Sequence, residues 1–516
     1  MSRGRLFLCP LVLVLIAVAA GAGAARDRQT AATSISFGIT DDAMKYAEDG
    51  GGSLFADLND LGMTDNRINV FWDENTPTKI LEEDFVDRMM PVAAQFGIRV
   101  EIAIQPIHAL AFATNTAAKI AAFTNYVREV ALRYPQVKEF VIGNEPNVNR
   151  FWQPQHNPDG SISSAAVYEQ VLAASYDTLK AIDPSITVDG LALSPRGNDG
   201  PPGTNAEGVS PVRFIAALGG AYRQSGRTKP IADVFDFHAY SNINTQPLTR
   251  PYQWPNAGAA NLDRLKQAWW DAFHGTGQPV FREAGQTGTG LYVTFRIDES
   301  GTQVRIDPTK VSPALYTGKE NVPTVDEATQ AQYYTGLIDL VKCDASVSTL
   351  DLFHLIDEPL LNSGFQSGLL RIDGSKRPSY AAVKQAIAAA RTCAKPHAWK
   401  HTTAVIGAKS SFNVTTKVAA QRTWRSTAGA GEEVVATTSI FPVVTARSLL
   451  RAALGNGATG IASMPQATGT IKANTSRTFM LQGKLAPGRY VYAALLHATM
   501  NPARTSLLVS KPFTVR

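Results

Sequence analysis

The chain has 516 residues, 44% of them hydrophobic and 18% charged, which is enough apolar material for a large core and excludes a disordered polypeptide. The formal charge of +5 is uneven: residues 401–516 carry 13 Lys and Arg against Glu432 and Glu433, a net of +11, while residues 1–400 carry −6. A basic C-terminal body is a candidate to contact an anionic polymer or a cell wall, but no Lys/Arg cluster marks a nucleic-acid surface.

Residues 1–24 read as a signal peptide. Arg3 and Arg5 precede the apolar run Leu6–Ala20, and Ala22-Gly23-Ala24 has the small-x-small spacing of a cleavage site. The run is short for a membrane span, so the expectation is a secreted protein without stable membrane insertion. Two cysteines follow the signal, Cys343 and Cys393, an even number that permits a disulfide after export.

From Ser34 to Arg391 short apolar runs alternate with longer amphipathic ones. In order they predict strand 34–40, helix 53–60, strand 66–71, helix 82–95, strand 98–105, helix 117–133, strand 138–144 and helix 165–182. The second half predicts strand 186–193, helix 211–223, strand 233–239, helix 261–273, strand 279–283, helix 327–342, strand 349–356 and helix 380–391. Eight strand–helix pairs predict an α/β fold, a (β/α)8 TIM barrel over 34–393. The long connection 284–326 contains two runs, 291–297 and 302–306, that predict a β-hairpin on the catalytic face. Residues 394–401 (AKPHAWKH) read as a linker, and 402–516, with short strand-like runs split by Gly, Pro, Asn and Ser, as an all-β sandwich-like domain.

In a barrel of this kind the chemistry sits where strands end. The fourth predicted strand ends Gly143-Asn144-Glu145-Pro146, and the seventh ends Arg282-Glu283-Ala284-Gly285. Two glutamates on opposite sides of a barrel mouth are what glycoside hydrolysis needs: one carboxyl protonates the leaving oxygen, and the other attacks the anomeric carbon or activates water.

Here the chain resembles the retaining glycoside hydrolases of the 4/7 superfamily (clan A), which includes cellulase-like and β-xylosidase-like families. The resemblance covers about 34–391 and implies that Glu145 is the general acid/base and Glu283 the nucleophile. It implies that Asn144 bonds the sugar hydroxyl beside the anomeric carbon. His238 and Tyr240, in the motif His-x-Tyr, line the subsite and hold the nucleophile, and Arg67 orients it. Trp152 is a candidate stacking platform, and Gln105 and His108 are candidate polar contacts. The tryptophan common at the end of the clan's last strand is replaced here by Phe353-His354, which makes His354 a further candidate. No HExxH, Gly-x-Ser-x-Gly or phosphate-loop motif is present, so no cofactor and no metal are expected. The expected partner is a poly- or oligosaccharide, probed by a secreted hydrolase. A transglycosylase using the same glutamates, or an inactive glycan-binding barrel, are the alternatives.

Overall fold

A computed structural model describes residues 35–516 apart from 205–206, 288–289, 391–392, 394–395, 403–407, 414–418, 427–432, 444–446, 457–465, 473–475, 483–487, 502 and 516. The expected signal segment lies outside the described residues. Among the described residues no helix is long and apolar enough to cross a membrane.

Eight parallel strands close into a barrel in sequence order: β1 (Ser36–Thr40), β2 (Asp65–Trp72), β3 (Arg99–Pro106), β4 (Glu139–Ile142), β5 (Thr187–Leu193), β6 (Val234–His238), β7 (Thr294–Glu299) and β8 (Val347–Leu352). The helices between them are α1 (Ala43–Tyr46), α2 (Gly52–Leu61), α3 (Glu83–Gln95), α4 (Thr116–Arg133), α5 (Ser163–Ile182), α6 (Pro211–Gln224), α7 (Leu262–Phe273), α8 (Glu327–Val341) and α9 (Pro378–Ala389). Their boundaries follow local chemistry. Pro211 and Pro378 open α6 and α9, where a missing N–H is harmless, and the Asp326 carboxylate accepts the Thr329 N–H at the start of α8.

The largest departure from the sequence reading concerns strand seven. Residues 279–283 do not form it. Phe281 makes only an isolated bridge to Val293, and the barrel strand is Thr294–Glu299. The hairpin expected over 291–306 is therefore absent, because its first half is the strand that closes the barrel. The run Phe295-Arg296-Ile297-Asp298 alternates apolar and charged residues and so looks half-solvated in sequence. In the fold Phe295 packs on Phe235 and Phe281, while Arg296 and Asp298 enter the barrel interior.

That interior is ionic. Arg296 pairs with Glu101 at 2.8 Å, Glu139 at 3.1 Å and Asp351 at 2.8 Å. Gly38 supplies room on β1, since a Cβ there would strike the Asp351 carboxylate and the Asp65 backbone. Asp189 and Asp236 are also fully buried beside this network, and burial raises both, with Glu101, well above the ordinary carboxylate range.

The expected disulfide is present: Cys343, just after α8, is bonded to Cys393, beyond α9. The segment expected to be a linker is strapped to the barrel. Trp399 carbonyl accepts the Ala284 N–H, and Cys343 carbonyl accepts the His397 N–H. Beyond it lie two antiparallel sheets. One is ordered β13 (Ser476–Gln482), β10 (Ala419–Ser426), β9 (Ala408–Asn413). The other is β12 (Ala467–Ile471), β11 (Val434–Pro442), β14 (Gly488–Ala498), β15 (Thr505–Val509), with β16 (Phe513–Val515) on β14. Among the described residues one helix, α10 (Arg447–Asn456), interrupts the all-β pattern. Its Leu450, Ala453 and Leu454, spaced to share one helical face, pack on Phe441 and Leu495. Arg504 reaches Asp271 of α7 at 2.8 Å and joins this body to the barrel.

Candidate active site

Glu145 follows β4 in a strained turn. Gly143 (φ 83°) and Glu145 (φ 38°) both adopt left-handed backbone, which bends the chain sharply at the rim. A bulge in β5 answers this turn. Between Gly190 and Leu193 the register shifts, and the Ala192 carbonyl accepts the Glu145 N–H at 3.0 Å. Glu145 is thus aimed by backbone geometry on two strands. Its side chain is 14% exposed.

Facing it is Glu299, the last residue of β7, 13% exposed. Arg67 Nη1 donates to its Oε1 at 3.0 Å and Tyr240 Oη to its Oε2 at 3.0 Å. The same guanidinium donates through Nη2 to Asn144 Oδ1 at 3.2 Å and lies 3.2 Å through Nε from Asp298 Oδ2. With Asn144 Oδ1 so engaged, its amide nitrogen is the group left to donate outward. Burial lowers an arginine, but Asp298 and Glu299 outweigh that and raise Arg67 further, so it stays charged. Burial and Glu299 raise Tyr240 well above its ordinary range, so it remains a donor.

His238 ends β6, in register with Glu299. Its Nδ1 lies 2.9 Å from Glu145 Oε1 and 3.4 Å from Glu299 Oε2, and its Nε2 lies 3.5 Å from Asp298 Oδ1. Burial by itself lowers a histidine. The Glu299 and Asp298 carboxylates prevail and push it up to about 10, which favours the imidazolium at neutral pH.

One nitrogen within reach of both carboxylates bounds their separation. The facing oxygens can be no further apart than the two distances laid end to end. The two carboxyl groups are therefore close neighbours across the rim, as a pair acting on one glycosidic bond must be. Chemically, this pair can protonate one oxygen of an acetal while attacking its carbon from the other side.

Of the residues expected from sequence, Glu145, Asn144, Arg67, His238 and Tyr240 come together here. Glu283 does not. Its expected place rested on strand seven at 279–283, and with β7 at 294–299 it lies near the strand starts, beside Thr294 and Ser346, hydrogen-bonded to His401. Trp152 is 2% exposed, stacked on Phe112 and set edge-on to Tyr168, so it offers no face to a sugar. Gln105, the last residue but one of β3, donates to Asn69 at 2.8 Å. His108 is exposed and bonds Glu74 at 3.1 Å. His354 follows a cis peptide from Phe353 and is buried, which lowers its affinity for a proton, whereas half-buried Phe353 stands edge-on to Tyr240 at 6.0 Å. The residues that sequence reasoning missed are Glu299 and Asp298. The signal was a glutamate ending an alternating run, Phe295-Arg-Ile-Asp-Glu299.

Three groups of described side chains are close enough to share a metal ion: Asp73, Glu74 and His108; Asp263, Asp344 and His397; and Glu101, Asp189 and Asp236. Neither Glu145 nor Glu299 belongs to any of them. A cavity of about 700 Å³ lies between α6, α7 and the C-terminal body, lined by Trp254, Trp399 and Arg504 among others, away from the two glutamates.

No protein-family model matches the chain, and no curated protein matches its sequence. Solved structures with a similar course of chain exist. A family 39 glycoside hydrolase from the gut symbiont Bacteroides cellulosilyticus is 13% identical with a TM-score of 0.46, over 88% of this chain and 82% of that one. A monomeric β-xylosidase from Caulobacter crescentus is 14% identical with a TM-score of 0.43, over 88% and 96%. An endo-1,4-β-mannanase from Rhizomucor miehei is 14% identical with a TM-score of 0.43, over 69% and 95%.

Proposed function

We propose that the protein is a retaining glycoside hydrolase, with Glu299 as nucleophile and Glu145 as general acid/base. The observation that carries this reading is the pair of rim glutamates sharing His238 Nδ1 at 2.9 and 3.4 Å. In the first step Glu145 gives its proton to the glycosidic oxygen while a Glu299 oxygen attacks the anomeric carbon. The carbon–oxygen bond breaks, the alcohol leaves, and a glycosyl ester remains. In the second step Glu145 takes a proton from water, the water oxygen attacks the same carbon, and Glu299 departs as carboxylate.

Each neighbour has a part. Arg67 and Tyr240 aim Glu299, since both donate to it. The Asn144 amide reaches the hydroxyl beside the reacting carbon, a contact that strengthens as charge develops there. The substrate class is a poly- or oligosaccharide, with β linkage favoured by the resemblance of the rim motifs. Export is supported by the signal-like residues 1–24 and by the Cys343–Cys393 bond. The basic strand-rich C-terminal region is the candidate to hold the enzyme near an anionic polymer.

The test is sugar release across a panel of polysaccharides and aryl glycosides. The wild type is run beside Glu299→Ala, Glu145→Ala and Glu283→Ala. We expect Glu299→Ala to lose about 10⁴-fold or more in kcat, and Glu145→Ala about 10²–10⁴-fold on substrates with poor leaving groups. Glu283→Ala stays within about threefold, because its carboxylate touches His401 and not the rim. Full activity in Glu299→Ala would refute the assignment.

A further inference from the structure

We infer that Asp298 is a positioning residue of this site: enclosed beneath the two glutamates, it keeps His238 a cation and anchors Arg67, so that one charged imidazole faces Glu145 and Glu299 alike. The inference rests on the reading of those glutamates given above, and its test is chosen to stand apart from it.

Asp298 has no access to solvent. Its Oδ2 lies 3.2 Å from Arg67 Nε and its Oδ1 3.5 Å from His238 Nε2, while its backbone carbonyl accepts the Thr40 hydroxyl. A carboxylate enclosed this way persists as an anion only where cations face it, and it has one on either side. The charged groups around His238 are Glu145 beyond β4, Asp298 and Glu299 on β7, and Arg67 on β2, which pairs with both β7 acids. Asp236 is two residues earlier on β6, and Tyr240 stands edge-on at 6.4 Å.

The need for a cation follows from the ring's two nitrogens. A neutral imidazole has one N–H. With the Asp298 carboxylate 3.5 Å from Nε2, a single proton would be drawn there, and Nδ1 would turn a lone pair toward two carboxylates. An imidazolium donates at both ends. Once Glu145 has given up its proton, the carboxylate it becomes meets an N–H, and the same ring balances Glu299 when it is released from the sugar. Asp298 touches neither sugar nor reacting atom, so its effect passes through His238 and Arg67.

The experiment is nitrogen NMR of His238 in the full-length protein, followed with pH. In wild type the ring is expected to carry both protons at pH 8, and a neutral ring at pH 8 would overturn the inference. In folded Asp298→Asn the midpoint is expected to fall by about two pH units. An unchanged midpoint would overturn the inference. Should Asp298→Asn fail to fold, the double variant Glu145→Gln/Glu299→Gln decides, because it leaves Asp298 as the carboxylate in contact with His238. A ring still charged at pH 8 supports the inference, and a neutral one overturns it. None of these readings requires catalysis, so an inactive wild type would sink the hydrolase assignment alone. On a cleaved glycoside, Asp298→Asn is expected to lower kcat about 10–100-fold with KM within about threefold, and to move the alkaline limb of the pH profile to lower pH.

Discussion

Arg67 shows how much a single side chain is asked to do. Its guanidinium reaches Glu299, Asn144 and Asp298 at once, and its planar fork is what permits three directions from one buried cation. A lysine there would keep the charge and lose the geometry, so Arg67→Lys is expected to lower kcat/KM by about 10²-fold or more, measured on the best substrate found. Tyr240 is the gentler case. Tyr240→Phe removes one hydrogen bond to a carboxylate, an interaction of about 1.5–3 kcal/mol, and the expected loss is about 10–100-fold in kcat/KM with little change in melting temperature. Trp152 supplies the contrast. It packs on Phe112 and Tyr168, so Trp152→Ala is expected to destabilise the barrel by about 3–5 kcal/mol in denaturant unfolding, whereas a platform residue would mainly raise KM.

At the scale of elements, β7 decides most. It carries outward Phe295 and Ile297 into the helix layer, inward Arg296 and Asp298 into the barrel, and Glu299 onto the rim. A strand buried on both sides usually reads as a continuous apolar run, and this one does not, because its charges have partners on β2, β3, β4, β6 and β8. Removing one partner of such a set leaves an uncompensated buried charge. Arg296→Met is therefore expected to destabilise the fold by about 3–5 kcal/mol, measured as a lower denaturant midpoint. The bulge in β5 and the turn after β4 form the second device. At Gly143 a side chain would meet both a left-handed backbone and the Tyr168 ring at 3.1 Å, so substitution there bears on the aim of Glu145.

For the molecule as a whole, the buried titratable groups give stability a direction with pH. His238 is raised from 6.5 to about 10, and Asp41 and Asp351 are raised from 3.8 to about 7, the two acids chiefly by burial. In each case the folded protein holds a proton that the unfolded chain releases earlier. The contribution of Asp41 and Asp351 is fully present below about pH 4 and is lost as pH rises through 7. That of His238 is fully present below 6.5 and is lost as pH rises through 10. The melting temperature is thus expected to fall between about pH 6.5 and 10, and the slope to flatten in His238→Gln. The disulfide acts on the same scale. It spans 50 residues and closes the last strand–helix unit, so its removal in Cys343→Ser/Cys393→Ser is expected to destabilise by about 4 kcal/mol in the chain-entropy model.

Local periodicity was enough to read the alternation of strands and helices and seven of the eight barrel strands, and the even cysteine count after the signal-like segment permitted the Cys343–Cys393 bond that the structure contains. It was also enough to draw attention to Asn144-Glu145 and His238-x-Tyr240, because a strand end followed by a polar motif is a short-range signal. What the sequence could not disclose was which charges are buried. Pro279–Glu283 looks like an interior strand and Thr294–Glu299 like a surface one when each is read alone. Only the closed barrel, which brings Arg67 and His238 to Asp298 and Glu299 across more than fifty residues of chain, makes the second run the interior one. For the same reason the sequence did not distinguish Trp152 in the core from a tryptophan on a rim. Burial is a property of what packs around a residue, and that was decided by the tertiary structure.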